Sequence, residues 1–164
     1  MLATVFFMRR DKETAKDIGF TKEKIPHQIL AGVLVAIGSL VIFIVLPAIF
    51  SIKMGFVGSL ETFRFINMIL AVALVEEILF RGHLFKKLFD ITQSRWSAIL
   101  ISSVLFGLFH IFNWNIMQII VATIMGIYWC VCKEKIRHCT LLALIIAHAL
   151  HNTIHPVITS LFFG

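Results

Sequence analysis

The chain has 164 residues, of which 59% are hydrophobic and 15% are charged, and its mean hydropathy is +0.94. Soluble globular domains average about 45–50% apolar residues, so a soluble chain of this length would leave much of its apolar surface in water. The composition therefore excludes a soluble domain and predicts an integral membrane protein with a single membrane domain.

The formal net charge of +6 is explained by membrane topology, and no nucleic acid is expected as a partner. Of the 15 Lys and Arg residues, 13 lie in three stretches at 1–26, 81–95 and 133–137, and the other two are Lys53 and Arg64. Basic residues confined to alternate connections follow the positive-inside pattern. We therefore predict that the N-terminus is cytosolic and that the protein is a multi-pass protein of the cell membrane.

The first half of the chain contains two stretches of membrane length. Residues 1–26 carry mixed charges and predict a solvated, cytosolic N-terminal arm, and residues 27–164 form the predicted membrane domain. Residues 25–52 contain no Asp, Glu, Lys or Arg and predict the first transmembrane helix, with a kink near Pro47. The second helix is expected at about 65–85. A short amphipathic segment in the membrane interface should follow it, with its apolar side formed by Leu84, Phe85, Leu88 and Phe89.

The second half predicts three further helices, so the fold class is an all-α membrane bundle with about five spans. Residues 96–132 lack Asp, Glu, Lys and Arg over 37 positions, which suits two helices joined by a tight turn. The turn is predicted at Asn113-Trp114-Asn115, with the indole at the membrane surface. The fifth helix covers 139–164, and Pro156 is expected to kink it.

Three charged residues, Glu76, Glu77 and Arg81, interrupt the second predicted helix. A charged side chain in the bilayer centre costs at least about 2.5–3.5 kcal/mol, and such residues are functional candidates by default. Glu77 and Arg81 are four residues apart on one helix face, with the acid N-terminal as such pairs prefer. Glu76 lies about 100° around the helix, without a partner on its own turn. A desolvated carboxylate of this kind suits a general base.

Polar residues also interrupt the apolar third and fifth helices. His110 lies on the third helix, and His148 lies four residues before Asn152 on the fifth. His155 falls within about 20° of the face that carries His148, and His151 lies about 60° from it. Such side chains must face protein or a water-filled cavity, because lipid offers them no hydrogen-bond partner. Hydrogen bonds that hold the helices together are the structural alternative.

Together these residues suit the hydrolysis of an amide or ester at membrane depth. Glu76 and His110 would hold and deprotonate a water molecule, directly or through a metal ion. His148 and Asn152 would donate hydrogen bonds to the developing oxyanion, where one such donor is worth about 10²–10³ in rate.

Three ordered motifs carry a resemblance to a known family. They are Glu76-Glu77-x-x-x-Arg81, Phe106-x-x-x-His110 and His148-x-x-x-Asn152, and they span residues 76–152. This pattern resembles the CPBP intramembrane proteases, which include CAAX prenyl endopeptidases of the Rce1 type and the bacteriocin-processing or immunity proteins of the Abi family.

The resemblance implies a helical membrane fold with a conical cavity that opens toward the cytosol, and a peptide bond cleaved near that face. It implies that Glu76 and His110 activate water, that His148 and Asn152 stabilise the oxyanion, and that Glu77 and Arg81 support them. The implied partners are a peptide or protein substrate and membrane lipid.

The mechanism within this family is either metal-free or zinc-dependent, and the sequence leaves both open. For a metalloprotease, Glu76, His110 and His148 would be the zinc ligands. Members of the family commonly have a further span after the last motif, which a homo-oligomer could supply here. A non-catalytic bacteriocin self-immunity or membrane partner protein on the same fold is the alternative function. A small proton- or ion-coupled transporter ranks last.

Overall fold

The computed structural model describes residues 9–45 and 72–163. Within these two ranges the chain is helical and contains no β-strand, which confirms the predicted all-α class. The α-helices, in chain order, are α1 (Ile25–Leu40), α2 (Leu74–Glu77), α3 (Phe85–Thr92), α4 (Arg95–Phe109), α5 (Ile116–Lys135) and α6 (Leu141–Phe163). A π-helical turn at Val41–Val45 extends α1, and another at Ile78–Leu84 joins α2 to α3.

Four segments of the described chain are long and apolar enough to cross a membrane. They are Ile25–Val45, Arg95–Asn113, Ile116–Lys135 and Leu141–Thr159. They match four of the five predicted spans and confirm a polytopic bundle. Residues 65–71 of the remaining predicted span, and Pro47, lie outside the described residues. From residue 72 the chain is helical through Thr92.

The helical hairpin of α4 and α5 turns at the predicted residues. A 3₁₀ turn at Ile111–Asn113 follows α4, and Trp114 then takes a left-handed conformation with φ of 53°. The Asn115 side chain caps α5 by accepting hydrogen bonds from the backbone N–H groups of Met117 and Gln118, at 3.0 and 3.2 Å. Asparagine is a preferred N-cap because its short side chain satisfies such free donors. The two N–H groups are thereby satisfied at the apolar end of the hairpin.

Small residues allow α1 and α6 to approach closely. Gly32 and Ala36 are four residues apart on α1, Ala143 and Ala147 are four apart on α6, and all four are buried. A Cβ atom added to Gly32 would lie 2.7 Å from the backbone oxygen of Ala143. In membranes no hydrophobic effect drives helices together, and van der Waals contact between them contributes instead. Small residues permit this contact because they let the two backbones approach closely.

We expect Gly32→Leu to destabilise the bundle by about 1–3 kcal/mol, because the new side chain must push α1 away from α6. Thermal unfolding in detergent would measure the change. Leu34→Ala is a suitable control, since Leu34 is exposed on the outer side of α1. Equal unfolding temperatures for wild type and Gly32→Leu would show that α1 and α6 are not packed as described.

The described part of the N-terminal arm is docked on the bundle as well as solvated. Ile18 is buried, and a Cβ atom on Gly82 would lie 3.3 Å from the Ile18 Cβ. Glu13 lies 2.5 Å from the His83 Nδ1, and Asp11 lies 2.8 Å from the Lys87 Nζ. The apolar side of α3 likewise packs inward, with Phe85 buried near α4 and α5. The arm and α3 thus both pack against the bundle next to the helical segment that carries Glu76, Glu77 and Arg81.

We expect Lys87→Glu to loosen this arm by repelling Asp11, and trypsin to cut at Lys16 and Lys22 several-fold faster. Lys135→Glu, an exposed cation with the same charge change, is the control. The hydrogen bond from Lys87 lowers the pKa of Asp11 below its usual value. The contact is therefore complete at neutral pH and is lost only as the pH falls through that lowered pKa. Unchanged cleavage would mean that the ion pair does not hold the arm.

Candidate active site in the membrane domain

A fully buried ion pair lies at the centre of the bundle. The Arg81 NH1 donates a hydrogen bond to the Glu77 Oε1 at 3.0 Å, and both side chains are excluded from solvent. The Arg81 guanidinium also lies 3.9 Å from the centre of the Phe106 ring, a favourable cation–π geometry. The predicted pairing of Glu77 with Arg81 is present, and α4 contributes to it through Phe106.

His148 of α6 links the two glutamates. Its Nδ1 donates a hydrogen bond to the Glu77 Oε1 at 2.9 Å, and its Nε2 lies 3.8 Å from the Glu76 Oε2. The Trp129 ring lies beside the imidazole, with the ring centres 4.5 Å apart. Glu77 therefore accepts hydrogen bonds from both Arg81 and His148, and the imidazole is held between the two carboxylates.

Glu76 occupies the position that its helical angle predicts. Glu77 is fully buried, whereas 12% of the Glu76 side chain is exposed and lines a cavity. Among the described residues, Glu76 has no hydrogen bond within 3.5 Å, and its nearest ionisable contact is His148. The carboxylate therefore faces the cavity and accepts no hydrogen bond from the described part of the bundle.

His110 lies immediately after the last residue of α4. Its Nδ1 lies 3.0 Å from the backbone oxygen of Phe106, four residues earlier. A carbonyl oxygen can only accept, so the Nδ1 carries the proton in this contact and the Nε2 of the neutral ring is left as an acceptor. The Nε2 is therefore able to accept a hydrogen bond from a molecule in the cavity.

The four predicted catalytic residues line one cavity of about 450 Å³. Glu76 comes from α2, His110 follows α4, and His148 and Asn152 lie one turn apart on α6. Counted from the basic ends of the helices, His110 lies farther along its helix than His148, yet both reach the same space. The other lining residues are Phe43, Val72, Phe106, Phe109, Asn113, Gln118, Val121, Ala122, Met125, His151 and His155.

The cavity extends toward the α4–α5 turn. Asn113 and Gln118 lie on either side of that turn, at the opposite end of the hairpin from Arg95 and Lys135. The cations mark the end that the charge pattern predicts to be cytosolic. The cavity thus extends toward the end of the hairpin opposite to these cations. An opening toward the cytosol stays a prediction.

Two groups around the site escaped the sequence-based prediction. Trp129 packs on His148, but an aromatic residue in an apolar span carries no sign of such a role. Ser39 lies on α1, its hydroxyl is 3.0 Å from the His151 Nδ1, and a serine in a transmembrane helix is unremarkable. Both could be recognised only once the helices were placed against each other.

The proposed zinc ligands do not form a metal site as they are placed. Zinc in enzymes is usually held by three protein ligands, and the described residues contain no group of three His, Cys, Asp or Glu side chains with that arrangement. Because the His148 Nδ1 is bonded to Glu77, the Nε2 is the nitrogen that would hold a metal ion. Zinc binding therefore stays a prediction, and metal analysis of wild type, His110→Ala and His148→Ala protein would test it.

Fold and site together define the class of this protein as a polytopic membrane protein with a buried carboxylate–imidazole centre. The family model described as type II CAAX prenyl endopeptidase Rce1-like matches residues 58–154. This match covers more than half of the chain and includes all three motifs, so the chain belongs to the Rce1-like family. No curated protein and no solved structure matches the chain significantly.

Proposed function

We propose that the protein is an intramembrane endopeptidase that hydrolyses a peptide bond of a peptide or protein substrate at the depth of Glu76 and His110. The observation that carries the proposal is the convergence of Glu76, His110, His148 and Asn152 on one cavity beside the buried Glu77–Arg81 pair. Membership of a family of endopeptidases supports the same reaction class.

Glu76 and His110 are proposed to activate the attacking water. Glu76 and His110 line the same cavity, and a water molecule between the Glu76 carboxylate and the His110 Nε2 would lose a proton to Glu76. The hydroxide then adds to the carbonyl carbon of the scissile bond. When the tetrahedral intermediate collapses, the carbon–nitrogen bond breaks and the proton on Glu76 passes to the leaving amine.

His148 and Asn152 are proposed to stabilise the oxyanion. In this role the imidazole would carry a proton on each ring nitrogen, with the Nδ1–H bonded to Glu77. The Nε2–H would be a donor in the cavity, next to the Asn152 amide, which has no hydrogen-bond partner among the described residues. Donors placed in advance where charge develops are a main source of catalysis.

The deciding experiment is a cleavage assay with purified protein in proteoliposomes and a mixture of synthetic membrane-associated peptides, read by mass spectrometry. We expect wild type to cut and Glu76→Gln to cut at least about 10²-fold more slowly. A self-immunity or binding protein on this fold would instead leave the peptides intact. It would still protect a bacteriocin-sensitive cell after Glu76→Gln.

A further inference from the structure

A second polar group, outside the four proposed catalytic residues, lines the same cavity. His151 precedes Asn152 on α6, is buried, and contacts Ser39 of α1 through its Nδ1 at 3.0 Å. The Ser39 hydroxyl donates its own hydrogen bond to the backbone oxygen of Ala36 at 2.7 Å. Ser39 lies outside the region that matches the family model, so this contact is contributed by α1 of this chain.

These contacts select one tautomer of His151. Ser39 has a single hydroxyl proton, and because Ala36 accepts it, the oxygen is left to accept from His151. The Nδ1 therefore carries a proton, and the Nε2 of the neutral ring is an acceptor. Within the described chain no donor contacts this Nε2, and no carboxylate contacts the ring.

The surrounding cavity wall combines apolar side chains with imidazole and amide groups. His155 also lines the cavity, with its ring centre 5.4 Å from that of His151. Of the residues described along this cavity, Glu76 is the one Asp, Glu, Lys or Arg. A charged substrate side chain at His151 would lose water without gaining a counter-ion, whereas a neutral N–H group would gain an acceptor.

We propose that His151, with His155 beside it, forms a substrate-binding subsite next to the oxyanion donors. Its Nε2 accepts a hydrogen bond from an N–H group in an uncharged stretch of the substrate peptide, and Ser39 acts as a positioning residue that holds the ring. The inference rests on the proposed function, because it specifies which substrates that site takes. It predicts a preference for uncharged residues beside the scissile bond.

A matched pair of substitutions separates binding from a purely structural role. His151→Asn keeps a donor near the Nδ1 position, for Ser39, and removes the acceptor at the Nε2 position. His151→Gln does the reverse. In the proteoliposome assay with uncharged peptides, we expect His151→Asn to raise KM about tenfold, the effect of one lost hydrogen bond, with a much smaller change in kcat.

We expect His151→Gln to raise KM less than His151→Asn does. Likewise, Ser39→Thr should raise KM less than Ser39→Ala, because threonine keeps the hydroxyl group. If the Ser39–His151 contact serves only to hold α1 against α6, His151→Gln should be more harmful than His151→Asn. His151→Gln and Ser39→Ala would then lower the unfolding temperature, and His151→Asn would behave as wild type. That result would overturn the subsite. Leu34→Ala, on the exposed side of α1, is the control.

A second measurement keeps the subsite testable if no peptide is cut. An uncharged peptide that carries a photoreactive leucine is cross-linked to wild type and to His151→Asn in proteoliposomes, and the same peptide with a central Asp or Lys is compared. Weaker cross-linking in the variant and with the charged peptides supports the subsite. Equal cross-linking, or none with wild type, overturns it. Failure of cleavage alone refutes only the proposed function.

Discussion

Replacement of Glu76 by glutamine is expected to lower kcat/KM for peptide hydrolysis by about 10²–10⁴-fold, the usual contribution of a general base. Glutamine has nearly the same shape but cannot take a proton from water. Because Glu76 faces the cavity and makes no hydrogen bond within the described residues, the free energy of unfolding should change little. Initial rates in proteoliposomes and thermal unfolding in detergent are the two measurements.

Glu23→Gln is the matched control, since Glu23 is an exposed carboxylate on the arm and the chemical change is identical. His110→Ala should lower activity in the same way, because it removes the second acceptor for the water. Full activity of the Glu76→Gln, His110→Ala double variant in correctly inserted protein would refute the proposed function. Lost insertion would instead assign both residues to folding.

Replacement of Arg81 by leucine is expected to lower the free energy of unfolding by about 3–5 kcal/mol, the usual cost of leaving a buried charge without its partner. Arg81 and Glu77 are both fully buried, and the pair is joined by a 3.0 Å hydrogen bond. The variant would also lose the guanidinium contact with Phe106. Chemical unfolding in detergent, followed by tryptophan fluorescence, would measure the change.

The Glu77→Leu, Arg81→Leu double variant distinguishes a charge effect from a packing effect. Apolar replacement of both partners of a buried pair is often neutral or stabilising, so much of the lost stability should return. Peptide cleavage should not return, because His148 would lose the carboxylate that holds its Nδ1. If the double variant is as unstable as Arg81→Leu, packing of the guanidinium dominates instead.

Features that depend on neighbouring residues could be predicted from the sequence. The apolar runs predict the spans, the Asn113–Asn115 stretch predicts the hairpin turn, and the spacing of Glu77 and Arg81 predicts their ion pair. Helical geometry alone determines that Glu76 faces away from that pair, since adjacent residues differ by about 100°. These relationships hold within one helix, whatever it packs against.

Contacts between helices could not be predicted in the same way. The link from His148 to Glu77 joins residues 71 positions apart, and that between Ser39 and His151 joins residues 112 apart. Each depends on the rotation and depth of two helices, which apolar periodicity leaves nearly free in a bundle surrounded by lipid. The sequence likewise predicted a solvated arm, whereas Ile18 of the arm is buried. Its burial depends on Gly82, which has no side chain and lets Ile18 approach the helix.

The sequence by itself therefore determined the membrane class, the all-α fold, the family motifs and the residues that could do chemistry, because composition and local spacing suffice for these. Only the tertiary structure decided that His148 is held between two carboxylates, and that Ser39 of α1 contacts His151 on the cavity wall. The reason is physical, since a polar group inside a membrane must be satisfied, but its partner is chosen by how the helices pack.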